Sequence, residues 1–256
     1  MKPQDAVRVH SLQMKRAKGS VTFCDVTYLR ATLVVLALDQ LDDDCLDDYM
    51  TSCFHAEEWA RLQALEHDKR KQSYATGRIA AKLALKSHHD GLDPREISIG
   101  SGVFEQPVIC VTYPGISETG ISISHSASYA AALVFHRAHP MGIDIDLPAK
   151  KDIGPVLSGL ASEERGLLDD LGLDESAAAT LIWVARESLA KTLTTGMMTP
   201  LSIYAPSSIE ADNGIFTLRY RNFAQYRTLV WQGLKGWLAV TLPERTALDV
   251  SSLPWA

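Results

Sequence analysis

Two segments of the chain resemble each other, and a repeat of this kind limits the architectures available to it. The segments are HAEEWARLQALEHDKRKQSYATGRIAAKLALKS (55–87) and ASEERGLLDDLGLDESAAATLIWVARESLAKTL (161–193). Each has a Glu-Glu pair at a helix start and ends in a helical stretch of Arg, Ala, Leu and Lys. Arg78 follows Glu58 by 20 residues, and Arg186 follows Glu164 by 22. The similarity is either a coincidence or the trace of a duplicated α/β half.

Hydrophobic periodicity predicts helices and strands that alternate along the chain. The predicted helices are 42–51, 56–65, 73–89 and 175–195. The predicted strands are 32–38, 96–100, 107–113, 120–126, 127–135, 141–147, 215–223, 226–234 and 236–243. A hairpin across the HRAHP turn is expected to join 127–135 to 141–147. Because hairpins dominate the predicted sheets, the fold class is α+β.

Composition excludes several classes of protein. With 46% hydrophobic and 22% charged residues the chain is globular, and no run of about 18 apolar residues predicts a membrane span. A net charge of −6 argues against general nucleic-acid binding, which needs a basic face. The four cysteines form no C-x-x-C pair, as is typical of a reduced cytoplasmic protein. Residues 1–20 are basic and are interpreted as a loosely attached arm, not a targeting peptide.

The segment GIDID (142–146) places two carboxylates on one face of a predicted strand. Side chains alternate in a strand, so Asp144 and Asp146 point one way and Ile143 and Ile145 point into the core. Two carboxylates about 7 Å apart repel each other unless a cation lies between them. The segment is therefore either a solvated edge strand or part of a cation site.

A helical face adds a third acid. Trp183, Glu187 and Lys191 are spaced four residues apart and share one side of the predicted helix 175–195. An exposed Glu-Lys pair is one interpretation, although Trp183 on the same face indicates that the face is partly covered. Three carboxylates from two elements would suit Mg²⁺, which prefers oxygen ligands.

Ser124 and His125 are adjacent in ISISHSA (121–127). A serine hydrolase would need a Gly-x-Ser-x-Gly turn, which is absent here. Neighbouring residues of a strand face opposite ways, so the two side chains are badly placed as nucleophile and base. A histidine that donates to a phosphate at a strand end is the favoured interpretation, with an ordinary structural histidine as the alternative.

Five motifs occur in the order found in the larger, pseudo-dimeric 4′-phosphopantetheinyl transferases. They are GRIAAKLAL, a turn ending in Gln-Pro, SISHS, GIDID and W-x-x-R-E-S-x-x-K, and they cover about residues 55–205. The resemblance implies two similar α/β halves related by a pseudo-twofold axis, with a cofactor cleft between them. The halves would be 21–122 and 123–256, with the metal site in the second half. A monomer is expected, because the fused halves supply both sides of the cleft.

The resemblance also implies an activity. Members of this family transfer the 4′-phosphopantetheine moiety of coenzyme A to a serine of an apo acyl or peptidyl carrier protein and release adenosine 3′,5′-bisphosphate. The reaction depends on Mg²⁺. The partners expected here are therefore coenzyme A and a carrier protein, and the nucleophilic serine belongs to the carrier.

Residue by residue, the motifs assign roles that the structure can test. The metal ligands fall on Asp144, Asp146 and Glu187, and Lys191 matches a lysine near the pyrophosphate. The assigned catalytic residues are Glu187, Lys191 and Glu164, with Glu187 the first candidate for the base and Glu164 the second. The assigned coenzyme A contacts are Arg61, Gln106, Ser124, His125 and Lys191.

Several positions depart from the family pattern. Asp146 stands where Glu is usual, Arg186 replaces a Lys, and Gln106 lies in FEQP where Gly-Lys-Pro is common. Ser98 stands where some members carry an arginine. Part of the phosphate contact must then come from other residues, and Arg70, Lys71 and Arg78 are nearby candidates. A catalytically weak or inert relative that binds carrier protein or coenzyme A is the alternative function.

Overall fold

Two antiparallel sheets form the centre of the molecule in a computed structural model, which describes residues 6–16, 29–110, 115–147, 153–233 and 235–255. The first sheet has, within these ranges, the order β12 (Thr246–Leu248), β1 (Val7–Arg16), β2 (Arg30–Ala37), β6 (Tyr129–His136) and β5 (Thr119–His125). The second has the order β7 (Gly142–Asp146), β11 (Gly236–Pro243), β10 (Tyr226–Gly233), β9 (Ile215–Tyr220) and β8 (Pro206–Asp212). A short ladder pairs β3 (Ile99–Ser101) with β4 (Pro107–Ile109).

The α-helices form two groups along the chain, one over residues 43–88 and one over residues 153–193. The α-helices of the described residues are α1 (Asp43–Cys53), α2 (Ala56–Gln63), α3 (Asp68–His88), α4 (Ile153–Ser158), α5 (Ser162–Asp169) and α6 (Glu175–Leu193). Short 3-10 turns lie at Leu38–Gln40, Pro94–Glu96, Leu201–Tyr204 and Val250–Ser252. No helix in the described part of the chain combines the length and the apolar character that crossing a bilayer requires.

Strand alternation builds three layers of apolar side chains. In β2, Leu33 and Val35 join a cluster between the two sheets, whereas Val34 and Leu36 join a second cluster under α1 and α3. In β11 the alternate residues Leu238 and Val240 face the first sheet, and their neighbours belong to a third cluster under α5 and α6. The order is therefore helix, sheet, sheet, helix, and the predicted α+β class is confirmed.

Two expectations about strands differ from the structure. The arm predicted over 1–20 is wrong for residues 7–16, which form β1 between β2 and β12 and bury Leu12 completely. Apolar residues at alternate positions, Leu12 and Met14, supply the reason, because they fill the core between the sheets. Residues 1–5 and 17–20 lie outside the described residues.

The predicted hairpin across the HRAHP turn is also wrong. β6 pairs with β2 and β5 in the first sheet, whereas β7 pairs with β11 in the second. The chain changes sheet in this turn, and a division between 122 and 123 would fall inside β5. The late strands are confirmed as the antiparallel run β9, β10 and β11. The division into two related halves stays a prediction.

Candidate active site

A close approach of β7 to α6 sets the geometry of the acidic cluster. A Cβ atom at Gly142 would lie 2.3 Å from the Ser188 carbonyl oxygen, so glycine is needed at this position. Ser188 Oγ donates a 3.0 Å hydrogen bond to the Gly142 carbonyl and fixes the contact. Ile143 and Ile145 point into the core between the sheets, as predicted, and the intervening Asp144 reaches α6.

Asp144 is buried and has two donors on one oxygen. Its Oδ1 accepts a 2.6 Å hydrogen bond from Lys191 Nζ of α6 and a 2.6 Å hydrogen bond from Ser124 Oγ of β5. The residue is 5% exposed, so its charge is compensated almost entirely by protein groups. Lys191 is partly exposed and also lines the neighbouring cavity, which makes its ammonium available to a ligand.

The three predicted metal acids are electrostatic neighbours. Burial raises the pKa of Glu187, the charge of Lys191 lowers it, and Asp144 and Asp146 raise it again. Asp146 Oδ1 accepts a hydrogen bond from the Leu147 amide at 2.7 Å. The same Asp146 lines a cavity of about 410 Å³ together with Trp183. Negative charge is therefore concentrated between β7 and α6.

The acids suit a divalent cation in chemistry and charge but do not enclose one. Carboxylate oxygens are the ligands that Mg²⁺ prefers. A bound cation would also relieve the repulsion that Asp144 and Asp146 exert on Glu187. Within the described ranges, however, no three or more His, Cys, Asp or Glu side chains are arranged around one metal position. Lys191 is the cation that contacts Asp144 in this conformation.

Basic residues line a second part of the site. A cavity of about 830 Å³ has Arg61, His67, Lys69, Arg70, Arg78 and His125 in its wall. Glu105 is the acidic residue among its lining residues. Arg78 stacks over the Tyr74 ring at 4.9 Å from the centroid, and its buried Nε has no hydrogen-bond partner within the described residues. The candidates Arg70 and Arg78 are thus brought together with Arg61 and His125.

His125 connects the basic cavity to the acidic cluster. It ends β5 and lines the 830 Å³ cavity. Partial desolvation in the cleft and then the charge of Lys191 lower the pKa of His125, while Asp144 raises it. His125 therefore belongs to the wall of the basic cavity and is near enough to Lys191 and Asp144 for their charges to affect its pKa.

Gln106 lies in the wall of a third cavity, next to the basic one. This cavity of about 720 Å³ is lined by Gln106, Glu187 and Lys191, and it shares Pro107 and Ile123 with the basic cavity. The Gln106 amide oxygen accepts a 2.8 Å hydrogen bond from the Phe104 amide within the β3–β4 turn. Its predicted contact with a cofactor stays a prediction.

Ser124 is placed differently from its predicted role. The side chain is 3% exposed, lines neither the basic cavity nor the 720 Å³ cavity, and has its Oγ engaged with Asp144 and the Ile145 amide. A phosphate cannot reach this hydroxyl while the two sheets are packed. His125 is exposed, on the opposite face of β5, so the pair is not a Ser-His nucleophile.

Glu164 is engaged inside the protein. It is 1% exposed, with Oε1 paired to the Arg186 guanidinium and Oε2 accepting from the Ala161 amide at 3.0 Å. Both oxygens are used to start α5 and to neutralise a buried arginine, and the catalytic role assigned to Glu164 stays a prediction. The Arg186 Nε and Nη1 are buried and have no partner within the described residues.

The first part of the repeat has the same arrangement. Glu58 is 1% exposed, pairs with Lys82 Nζ at 2.8 Å and accepts from the His55 amide at 3.0 Å. The partner of Glu58 in this arrangement is Lys82. In the sequence, Ala81-Lys82 in α3 and Ala185-Arg186 in α6 occupy corresponding positions of the repeat. This correspondence was the signal from which the two basic partners could have been found. Ser98, a departure from the family pattern, donates a 2.5 Å hydrogen bond to Glu57.

A scan against protein-family models and a search of curated proteins found no match. Two solved structures are similar to part of the chain. A holo-(acyl-carrier-protein) synthase from Bacillus anthracis, solved in complex with CoA (3′,5′-ADP), is 22% identical at a TM-score of 0.34, covering 41% of this chain and 91% of its own. A holo-ACP synthase from Plasmodium yoelii is 14% identical at a TM-score of 0.34, covering 51% and 95%. Similarity at this level assigns no activity to the chain.

Proposed function

We propose that the protein transfers the 4′-phosphopantetheine moiety of coenzyme A to a serine of an apo acyl or peptidyl carrier protein, in a Mg²⁺-dependent reaction that releases adenosine 3′,5′-bisphosphate. The observation that carries the proposal is the juxtaposition of a basic cavity, which His125 lines, and a buried acid–lysine cluster, which the preceding residue Ser124 contacts. Such a site suits a ligand with several phosphates at one end and a phosphoryl group that reacts at the other.

The basic cavity supports binding of the nucleotide end of coenzyme A. Arg61, Arg70 and Arg78 can make charge-assisted hydrogen bonds to phosphate oxygens, and guanidinium groups suit them geometrically. His125 would contact the phosphates nearest the acidic cluster. Because the phosphates bring negative charge, bound coenzyme A is expected to favour the protonated form of this histidine.

The reaction needs a base, a nucleophile and a stabilised leaving group. The carrier serine would attack the β-phosphorus of coenzyme A, forming one P–O bond as the bond to the adenosine 3′,5′-bisphosphate oxygen breaks. Glu187 is the candidate to take the serine proton, since it lines the 720 Å³ cavity together with Lys191 and presents a carboxylate there. Lys191 would stabilise the negative charge that grows on the phosphoryl oxygens.

Mg²⁺ would be held by Asp144, Asp146 and Glu187, and when bound it supplies positive charge next to the pyrophosphate. Lys191 would then exchange its contact with Asp144 for the pyrophosphate. The two similar structures are of holo-acyl-carrier-protein synthases, in agreement with this activity, but the proposal stands on the geometry of the site.

The second candidate is a protein that binds coenzyme A or a carrier protein without transfer. The observation in its favour is the Lys191–Asp144 contact, since the acids are not arranged around one metal position within the described residues. Calorimetry of coenzyme A with and without Mg²⁺ separates the candidates. Binding that is independent of Mg²⁺, together with no transfer, would favour the binder.

Transfer itself is tested by intact mass spectrometry of carrier proteins. Purified protein is mixed with coenzyme A, Mg²⁺ and a panel of apo acyl and peptidyl carriers, and each carrier is weighed before and after. A gain of one phosphopantetheine supports the proposal and ranks the partners. Monomeric behaviour in light scattering is expected too, because this chain supplies both walls of the site; an obligate trimer would contradict that part.

A further inference from the structure

Two serine hydroxyls join the sheets at the base of the site. β7 is the outer strand of its sheet, so among the described strands none pairs with the amides along its outer edge. Ser122 Oγ accepts from the Ile143 amide at 3.1 Å, and Ser124 Oγ accepts from the Ile145 amide at 3.2 Å. Both serines are 3% exposed and belong to β5 of the other sheet. The two bonds therefore replace a strand ladder between the sheets.

The two serines differ in what their hydroxyl protons can reach. Ser124 donates its proton to Asp144 Oδ1 at 2.6 Å, while Lys191 donates to the same oxygen at 2.6 Å. Ser122 lies two residues earlier in β5 and also borders the 720 Å³ cavity. Within the described residues its hydroxyl has the bond from the Ile143 amide and no bond to an acid, so Ser122 serves as the comparison for Ser124.

We propose that Ser124 is a positioning residue that holds Asp144 in its working orientation, rather than a contact to the 3′-phosphate of coenzyme A. With two donors on Oδ1, the carboxylate is fixed in one rotamer between β7 and α6. Partners of this kind, behind a group that binds a metal or stabilises charge, typically contribute about 10- to 100-fold in activity or metal affinity. The kinetic consequence rests on the proposed function; the position of the carboxylate does not.

Coenzyme A and 3′-dephospho-coenzyme A distinguish the two roles. For Ser124→Ala the positioning role predicts that kcat falls about 10- to 100-fold with both donors, with the preference for coenzyme A unchanged. Ser122→Ala loses the joining bond but no donor to Asp144, so its kcat is expected to fall less than that of Ser124→Ala. A Ser124→Ala enzyme with normal kcat, a raised KM for coenzyme A and no preference over the dephospho form would overturn the proposal.

Two further measurements test the role of Ser124 if Ser124→Ala folds poorly or if no carrier is modified. Ser124→Thr retains a hydroxyl and is expected to recover most of the lost kcat, even if Ser124→Ala is poorly folded. Crystal structures should show Asp144 in a new rotamer in Ser124→Ala and in the original rotamer in Ser122→Ala. If the wild type transfers nothing to any carrier, the proposed function fails, and the rotamer alone decides the role of Ser124: an unmoved Asp144 would refute it.

Discussion

Lys191 and Asp144 form an ion pair between α6 and β7, with Nζ 2.6 Å from Oδ1. The acid is buried, whereas the lysine is partly exposed to the cavity that Glu187 also lines. The pair therefore links a fixed negative charge inside the fold to a cation that a ligand can reach. Within the proposed function, this lysine exchanges a protein carboxylate for a phosphoryl oxygen.

Lys191→Ala is expected to lower the transfer rate at saturating coenzyme A by about 100-fold, because a positioned donor to the developing charge is lost. Single-turnover transfer, followed by intact mass of the carrier, measures the effect. Lys86→Ala removes an exposed lysine of α3 and serves as the control. A Lys191→Ala rate equal to that of the control would contradict the assigned role.

Arg70→Ala and Arg78→Ala are each expected to weaken coenzyme A binding by about 10-fold, since each removes a charged donor from the basic cavity. Isothermal titration calorimetry measures the dissociation constant. Added salt should reduce the difference in dissociation constant between each variant and the wild type, because salt screens the interaction of the arginine with the phosphates. Arg95→Ala is the control, because Arg95 is exposed and pairs with Asp93 instead. If neither cavity variant changes the dissociation constant for coenzyme A, the nucleotide end does not bind in this cavity.

The two buried ion pairs are expected to stabilise the fold to a similar extent. Glu58→Ala and Glu164→Ala each leave a buried cation without its partner, which should lower the free energy of unfolding by about 3–5 kcal/mol. Urea denaturation measures both. Glu163→Ala is the control, because its pair with Arg221 is exposed to solvent and should contribute little to stability. A stable Glu164→Ala protein without activity would support the catalytic role instead.

Much of the fold could be predicted because its signals are local. Apolar periodicity identified α3, α6 and the late strands, and the alternation in GIDID correctly put Ile143 and Ile145 in the core. Strand pairing is not local, which explains the wrong hairpin. β6 is buried on both faces, so its sequence shows no alternation that would indicate which sheet it joins.

The part of the site that depends on local structure could also be predicted from the sequence. Residue type and spacing brought Asp144, Glu187 and Lys191 together, because a strand and a helix each fix the face on which a side chain lies. The burial of Ser124 and Glu164 could not be read from spacing. The burial of Ser124 depends on how the two sheets pack, and that of Glu164 on the basic residue that neutralises it. Both are properties of the tertiary structure.

Stability should fall in mild acid through His139, which lies in the turn between β6 and β7. The pKa of His139 is lowered to about 4, chiefly because the ring is buried; a backbone hydrogen bond opposes this shift and the charge of His136 adds to it. Its Nε2 lies 2.7 Å from Thr246 Oγ1. The unfolded chain has the ordinary pKa of about 6.5 and binds the proton first, so stability is full above pH 6.5 and declines toward pH 4.

The total cost of protonating His139 is about 3 kcal/mol, from roughly 2.5 pKa units at 1.36 kcal/mol each. His139→Gln keeps a polar group toward Thr246 without the charge, so its unfolding free energy should vary less between pH 7 and pH 4. Urea denaturation across this range measures the difference, with His67→Gln at an exposed position as the control. If the unfolding free energies of His139→Gln and the wild type change equally with pH, His139 is not the group that causes the loss of stability in acid.

The most direct test of the proposed activity is phosphopantetheinylation of an apo carrier protein by the wild type, by Asp144→Ala, and by the wild type with EDTA. Intact mass should show one added phosphopantetheine with the wild type and Mg²⁺, and essentially none in the other two reactions. Transfer that survives both the loss of Asp144 and chelation would contradict the account, because the chemistry would then not depend on the acidic cluster between β7 and α6.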